Sequence, residues 1–335
     1  MARLIHRYGY ALSATPPVSI CLLAYNRADL LPKTVESLLA QSFPDFELII
    51  SDDCSSDNTE EICREYARRD ARIRYLRNDR NLGMPGNLNL SLQVANGCYL
   101  ANLHDGDVYR LDLISKWKNA LDNHPTAGFV FNAYRSWHED GSEIIYEESY
   151  PSLISGRKLG ARLLSRWDSC VFGTVMARRE IYEKLGWFDP RFGNYSDVDM
   201  WIRIAREYDA AYVNEPLIDL MPRDKSRFYS FVHWKVLFWL MGIQTMNLRR
   251  YQGIPEVLTD RLMKNFPRRA RALLLLSMLV CLKYRRWDRA REGFAIWLDS
   301  EDDFLRFLGK TFGNRKDLPD WYHPDYWQMT KVNPA

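Results

Sequence analysis

From residue 18 to about residue 132, short β-branched and aliphatic runs alternate with stretches in which apolar residues recur every three or four positions. That alternation is the signature of parallel strands joined by crossover helices, and it leaves few folds open. Residues 18–24 read as a first strand, Leu31, Val35, Leu38 and Leu39 mark the helix after it, and residues 46–50 form a second strand. A polar loop follows at 51–57, where Asp57 and Glu60 are placed like a capping box for a helix reaching about Arg69. Residues 72–76, 87–96 and 98–103 continue as strand, helix and strand. Leu113, Ile114, Trp117 and Leu121 mark the next helix, and 127–134 the next strand. Hairpin and loop are expected from 139 to 167, then short helices at 179–185 and 196–208. Beyond Phe228 the chain turns helical and rich in Trp, Phe and Arg.

Two of these strands run into acidic loops, Asp52-Asp53 and His104-Asp105-Gly106-Asp107. Ligands of open α/β sheets gather at the carboxyl ends of strands. Asp105 and Asp107 offer the oxygen ligands that a hard divalent ion takes while it keeps positions open for nucleotide phosphates. Two Asp around a Gly also make an ordinary turn, so the pair alone does not decide. The first strand enters Tyr25-Asn26-Arg27-Ala28-Asp29 without a glycine. This excludes the dinucleotide fingerprint, and no P-loop pattern replaces it.

The 335 residues suffice for one large or two ordinary domains, and a net charge of +3 gives no reason to expect a nucleic-acid partner. Cysteines 21, 54, 63, 98, 170 and 281 contain no Cys-x-x-Cys pair and read as reduced thiols of a cytoplasmic protein. Residues 1–17 lack a signal-peptide apolar core. The longest apolar run, 272–282, is too short to span a bilayer. Its basic flanks (Arg268, Arg269, Arg271, Lys283, Arg285, Arg286) suit either a buried helix with charged ends or a helix lying on the anionic inner face of a membrane.

Over roughly 18–227 the ordered motifs resemble the inverting glycosyltransferases of family 2, of GT-A fold. Ala24-Tyr25-Asn26-Arg27 resembles the family's first nucleotide contact, and Asp52-Asp53-Cys54-Ser55-Ser56-Asp57 its Asp-Asp-Gly-Ser-x-Asp loop, with Cys54 in the glycine's place. Asn81-Leu82-Gly83, Asn87 and Asn89 resemble the segment leading to the metal strand. The resemblance implies nucleotide contacts at Ala24, Tyr25, Asn26, Asp52, Asp53, Asn81, Asp105 and Arg223. It also implies a Mn²⁺ or Mg²⁺ ion: the position most tied to the metal falls on Gly106, and Asp105 and Asp107, which flank it and can each reach an ion within a short loop, are the candidates, with Asp107 slightly ahead. Asn194-Tyr195-Ser196-Asp197-Val198-Asp199-Met200-Trp201 resembles the motif whose aspartate deprotonates the acceptor, which places that role on Asp197. A Ser196–Asp199 capping box would account for Asp199 and leave Asp197 open. Arg223 or Arg227 stands where the family often closes a basic side chain over the diphosphate. His104 reads as a locally bonded strand-end residue.

The expectation is a GT-A domain over 1–227, with a nucleotide-binding half to about 132 and an acceptor half over 133–227, followed by a helical region at 228–335. Its expected reaction moves a sugar from a UDP-sugar or other nucleoside diphosphate sugar to a hydroxyl of a glycan or lipid-linked acceptor. A sugar-phosphate nucleotidyltransferase and a degenerate, non-catalytic binding subunit remain the competing readings.

Overall fold

In the computed structural model, which describes residues 15–137, 142–146, 150–165, 169–171 and 173–221 and isolated helical positions at Ile243, Asn247, Leu275, Leu279, Leu282, Trp287 and Arg291, strand β1 (Val18–Ala24) is buried along its whole length. Such burial suits a run this apolar, covered on both faces of a parallel sheet. The chain divides into two units, Met1–Gly160 with Ser169–Pro222 and Ala161–Asp168 with Arg223–Ala335. Among the described residues, all the strands lie in the first. The boundary expected at 227, Arg223, Arg227 and the run 272–282 fall outside the described residues, apart from the isolated positions named.

Helix α1 (Leu31–Leu39), β2 (Phe46–Asp52), α2 (Thr59–Arg69), β3 (Ile73–Arg77), α3 (Gly83–Val94) and β4 (Tyr99–His104) follow in turn. After them come β5 (Asp107–Tyr109), α4 (Leu113–Asn123), β6 (Ala127–Trp137), β7 (Glu143–Tyr146), β8 (Leu153–Ile154) and α5 (Gly156–Ser165). The described part of the first unit closes with β9 (Val175–Arg178), α6 (Arg179–Leu185), a 3-10 segment at Pro190–Tyr195, α7 (Ser196–Ala205) and β10 (Asp209–Leu220).

The sheet runs in the order β3-β2-β1-β4-β9-β6-β10-β5, with β7 on β6 and β8 on β10. Strands β3, β2, β1 and β4 are parallel, and β9 runs antiparallel to both β4 and β6. Because β1 lies between β2 and β4, the carboxyl ends of β1 and β4 border the switch point at which such sheets bind ligands. In register, Leu23 pairs with His104 there.

Leu31, Val35 and Leu38 of α1 and Leu113, Ile114, Trp117 and Leu121 of α4 join Ile20, Leu22, Leu48 and Ile50 in the core. Behind α7, Trp201 stacks on Phe129 at 5.2 Å and meets Phe188 edge-on at 5.8 Å. Each large side chain buried in this way contributes roughly 1.5–3 kcal/mol. Together they fix the direction in which α7 begins.

Several expectations need correction. Strand β2 continues through Ser51 and Asp52, which had read as loop. Helix α3 begins at Gly83, four residues before Asn87. Strands β9 and β10 and helix α5 had no sequence signal strong enough to separate them from loop. Glu60 does not complete a capping box. It pairs with Arg64 at 2.8 Å and with Arg77 at 3.3 Å, while Asp57 accepts the Thr59 N–H at 3.0 Å. Among the described residues no helix is long and apolar enough to cross a membrane.

Candidate functional site

The chain leaving β1 is stitched to the chain leaving β2. The Asp53 N–H donates to Ala24 O at 2.9 Å. Asn26 adopts a left-handed backbone (φ 52), which its short polar side chain tolerates by local bonding. Its Oδ1 accepts the Ser56 N–H at 2.8 Å, and its own N–H donates to Ser55 Oγ at 2.9 Å. The Ala28 N–H donates to Asp57 Oδ2 at 3.0 Å. Burial raises the Asp57 carboxyl, but hydrogen bonds from Thr59 and Ala28 outweigh it and hold the group below the usual carboxylate range. Tyr25 leaves its ring largely exposed, and its N–H crosses the switch point to Asp105 Oδ2 at 3.1 Å.

Asp52 and Asp53 face inward. Asp52 is fully buried, and its carboxylate accepts the Ser55 N–H at 2.9 Å, the Tyr75 hydroxyl at 2.8 Å and Arg77 at 2.5 Å. Burial first, and then the Asp52 carboxylate, push the Tyr75 hydroxyl far above its ordinary value. Arg77, absent from the sequence reading, also donates to Ser55 O at 2.9 Å and remains 27% exposed at its side chain. Asp53 Oδ1 accepts Asn78 Nδ2 at 2.9 Å and the Leu82 N–H at 2.8 Å. Asn81 is exposed, and its Oδ1 accepts the Gly83 N–H at 3.0 Å, opening α3. From α3, Asn89 clamps Phe188 through both its N–H and its carbonyl, at 3.0 and 2.7 Å. Between the two aspartates and Ser55, Cys54 takes φ 64, a left-handed backbone that glycine adopts without strain.

Gly106 separates the two acidic residues, and its φ of +85 turns the chain from β4 into β5. Thr34 of α1 holds this turn, accepting the Gly106 N–H at 3.0 Å and donating to Asp107 O at 2.8 Å. Asp105 is half-buried, with Arg27 Nε 3.9 Å from its Oδ1. Asp107 is 0% exposed, in β5 opposite Leu220 of β10. No group of three or more His, Cys, Asp or Glu able to hold a metal occurs among the described residues. Two carboxylates at a strand end nevertheless match the way Mg²⁺ binds, through one or two carboxylates completed by substrate phosphates rather than in an all-protein cage.

Asp197 lies in the first turn of α7, and its Oδ1 accepts the Val198 N–H at 2.7 Å. Burial pushes its carboxyl up to about 7, against the lowering effect of that hydrogen bond. Asp199 points elsewhere and pairs with Arg203 at 2.8 Å. Arg203 in turn donates to the carbonyls of Leu185, Gly186 and Trp187. The Ser196–Asp199 capping box does not form. Tyr195 is the cap residue, and Ser196 Oγ is buried with no hydrogen-bond partner among the described residues.

The backbone of His104 bonds locally, as expected, to the Tyr109 hydroxyl, and its ring lies close to Gly173. A Cβ on Gly173 would stand 3.0 Å from His104 Nε2 and 3.2 Å from Asp197 Oδ2. Asp105, the residue after His104, bonds to Tyr25, so the acidic strand end and Asp197 border one site. Gly173 gave no signal in the sequence, and the approach of His104 to it could not be read there, since β4 and β9 had first to pair.

The model of the family described as Glycosyl transferase family 2 matches residues 19–186. The putative teichuronic acid biosynthesis glycosyltransferase TuaG of Bacillus subtilis is 29% identical over 215 residues, covering 61% of this chain and 78% of its own. Among solved structures, S. aureus TarS in complex with UDP has a TM-score of 0.60 at 15% identity, covering 87% of this chain and 82% of its own. The mannosyltransferase PcManGT from Pyrobaculum calidifontis, in complex with GDP-Man and Mn²⁺, has a TM-score of 0.53 at 17% identity, covering 98% and 88%. The two structural likenesses show the fold.

Proposed function

The chain belongs to glycosyl transferase family 2, and from that membership we propose that it moves a sugar from a nucleoside diphosphate sugar, UDP-linked, to a hydroxyl of a glycan or glycolipid, with inversion and in a single displacement. It is a glycosyltransferase of GT-A fold. Asp197 carries the finer assignment. Its carboxyl is pushed up to about 7 and stands beside the strand end that bears Asp105, which suits a base working near neutral pH. Asp197 takes the proton of the acceptor hydroxyl as its oxygen attacks C1 of the donor sugar. The C1–O bond to the diphosphate breaks, and the nucleoside diphosphate departs.

Ala24, Tyr25, Asn26, Asp52, Asp53 and Asn81 form the nucleotide side of this reading. The hydrogen bonds of Asp52 and Asp53 favour a role in shaping the pocket, with Tyr25, Asn26 and Asn81 at its surface. Asp105, with Asp107 behind it, would hold the divalent ion, and the burial of Asp107 favours Asp105 as the nearer ligand. Bound there, Mn²⁺ or Mg²⁺ supplies positive charge to the leaving diphosphate. Arg223, outside the described residues, keeps its assignment to the diphosphate from the family resemblance alone. UDP in the TarS structure supports the donor class, and the name of TuaG supports a polysaccharide acceptor. The basic flanks of 272–282 support a peripheral contact with the inner face of a membrane that carries a lipid-linked acceptor. Flotation with anionic vesicles tests that contact, and protein left at the bottom of the gradient removes it.

Calorimetric titration of UDP, GDP, CDP and dTDP, each with Mn²⁺ and with EDTA, tests the donor side on wild type and Asp105→Ala. UDP binding that needs Mn²⁺ and is lost in the variant is the expected result. Preference for another nucleotide would overturn the UDP assignment, and absence of all binding the transferase site itself.

A further inference from the structure

Asn102 is the one polar side chain in the buried run Leu100-Ala101-Asn102-Leu103 of β4. It is 2% exposed, and its Oδ1 is buried with no hydrogen-bond partner among the described residues. A buried acceptor left unmet is unfavourable, and an apolar residue of similar shape would avoid the penalty. Such exceptions to the pattern of a core strand gather at functional sites.

What Asn102 does hold is the chain beside Asp197. The ladder between β4 and β9 ends on the pair Asn102–Val175. Gly173, two residues before Val175, lies beyond that last rung, and there the Asn102 amide takes over, donating from Nδ2 to Gly173 O. A Cβ on Gly173 would stand 3.2 Å from Asp197 Oδ2, so the backbone that Asn102 anchors packs against that carboxylate oxygen. The other oxygen, Oδ1, accepts the Val198 N–H at 2.7 Å. One oxygen is thus tied to the start of α7 and the other lies against Gly173.

We propose that Asn102 is a positioning residue for the base: by anchoring Gly173 O it keeps residue 173 packed on Asp197 Oδ2 and limits the water that reaches the carboxylate. This role rests on Asp197 being the base. Asn102 acts through Gly173 and does not touch the substrate. Burial raises the Asp197 carboxyl and the Val198 N–H lowers it, with no contribution from a neighbouring charge among the described residues. Solvent exclusion is therefore the quantity that Asn102 controls. The titratable groups at hand among the described residues are His104 of β4, close to the same glycine, and Tyr195, the residue before α7. Burial, and then the charge of Asp197, push the Tyr195 hydroxyl well above its usual value, so it stays neutral near pH 7. On α7 itself, Asp199 is paired with Arg203.

The test uses the full chain with water as acceptor, a panel of UDP-, GDP-, CDP- and dTDP-sugars as donors, and release of nucleoside diphosphate between pH 5.5 and 8.5 as the readout. Wild type and Asn102→Leu are compared, each also in a His104→Gln background, and Asn102→Ser takes the place of the leucine variant if that one does not fold. Affinity for the nucleoside diphosphate with Mn²⁺ is measured alongside. With the amide gone, the midpoint of the kcat/KM profile should fall by about one pH unit toward the ordinary aspartate value in both backgrounds. The plateau above pH 8 should drop about tenfold, because the base is weaker and less firmly placed, while nucleotide affinity stays unchanged. A midpoint that does not move, a shift that vanishes in the His104→Gln background, or nucleotide affinity lost with the amide would overturn the role. A flat wild-type profile, or wild-type turnover in Asp197→Asn, would instead remove the base assignment beneath it, so the two failures are told apart.

Discussion

Lowering the pH from 8 to 6 separates a base built from Asp197 from any ordinary surface aspartate. Burial pushes the Asp197 carboxyl up to about 7 from 3.8, and only the ionised form can take a proton from the acceptor. At pH 6 about one carboxyl in ten is ionised, so kcat/KM stands about tenfold below its plateau above pH 8. An aspartate near 3.8 would be ionised throughout and leave the profile flat. The same shift has a signature in stability. The folded state holds a proton that the unfolded chain releases above 3.8, so stability is lost as the pH rises from there through about 7. At 1.36 kcal/mol per unit the loss is at most about 4 kcal/mol. Asp197→Asn stays neutral and avoids that loss, so it should be more stable than wild type at pH 8 and close to it at pH 4. Its turnover should fall by roughly 10²–10⁴-fold. The assays are nucleoside diphosphate release from pH 5.5 to 8.5 and urea unfolding at both pH values. A flat wild-type profile, or an Asn variant no more stable at pH 8, would refute the reasoning.

Arg77→Met leaves the buried Asp52 carboxylate without its charge partner and should cost about 2 kcal/mol in denaturant unfolding, below the roughly 3–5 kcal/mol of a fully buried pair because Arg77 is 27% exposed. A cost below about 0.5 kcal/mol would show that Tyr75 and Ser55 suffice for Asp52. Cys54→Gly relieves the left-handed backbone at φ 64 and should raise stability by up to about 1 kcal/mol, read as a higher melting temperature. Thr34→Val removes both hydrogen bonds that brace the acidic turn, at 2.8 and 3.0 Å, and should weaken Mn²⁺-dependent nucleotide binding about tenfold. Unchanged affinity in that variant would mean that the turn keeps its shape without Thr34.

The central elements were legible because their apolar residues repeat without interruption. β1 is buried at every position, and α1 and α4 show one apolar stripe each. Strand β10 was hidden because Asn214, Glu215 and Pro216 break its alternation, at the point where its register with β6 shifts between Val213 and Pro216. Helix α5 opens on Gly156, which reads as a breaker. There it permits close approach, since a Cβ would lie 2.0 Å from Tyr208 O. The acidic positions stand out as motifs, but their surroundings do not. Arg77 meets Asp52 only through the pairing of β2 with β3, and His104 and Asp197 come close to the same glycine, Gly173, only in the folded chain. Residues that meet through strand pairing carry no local pattern to read.

The most direct measurement of the proposed mechanism is the anomeric configuration of the transferred sugar, followed by proton NMR from an α-linked UDP-sugar before spontaneous mutarotation. Attack by an acceptor oxygen activated at Asp197, on the face opposite the departing diphosphate, predicts a β-configured product. An α-configured product would contradict single displacement and with it the assignment of Asp197 as its base.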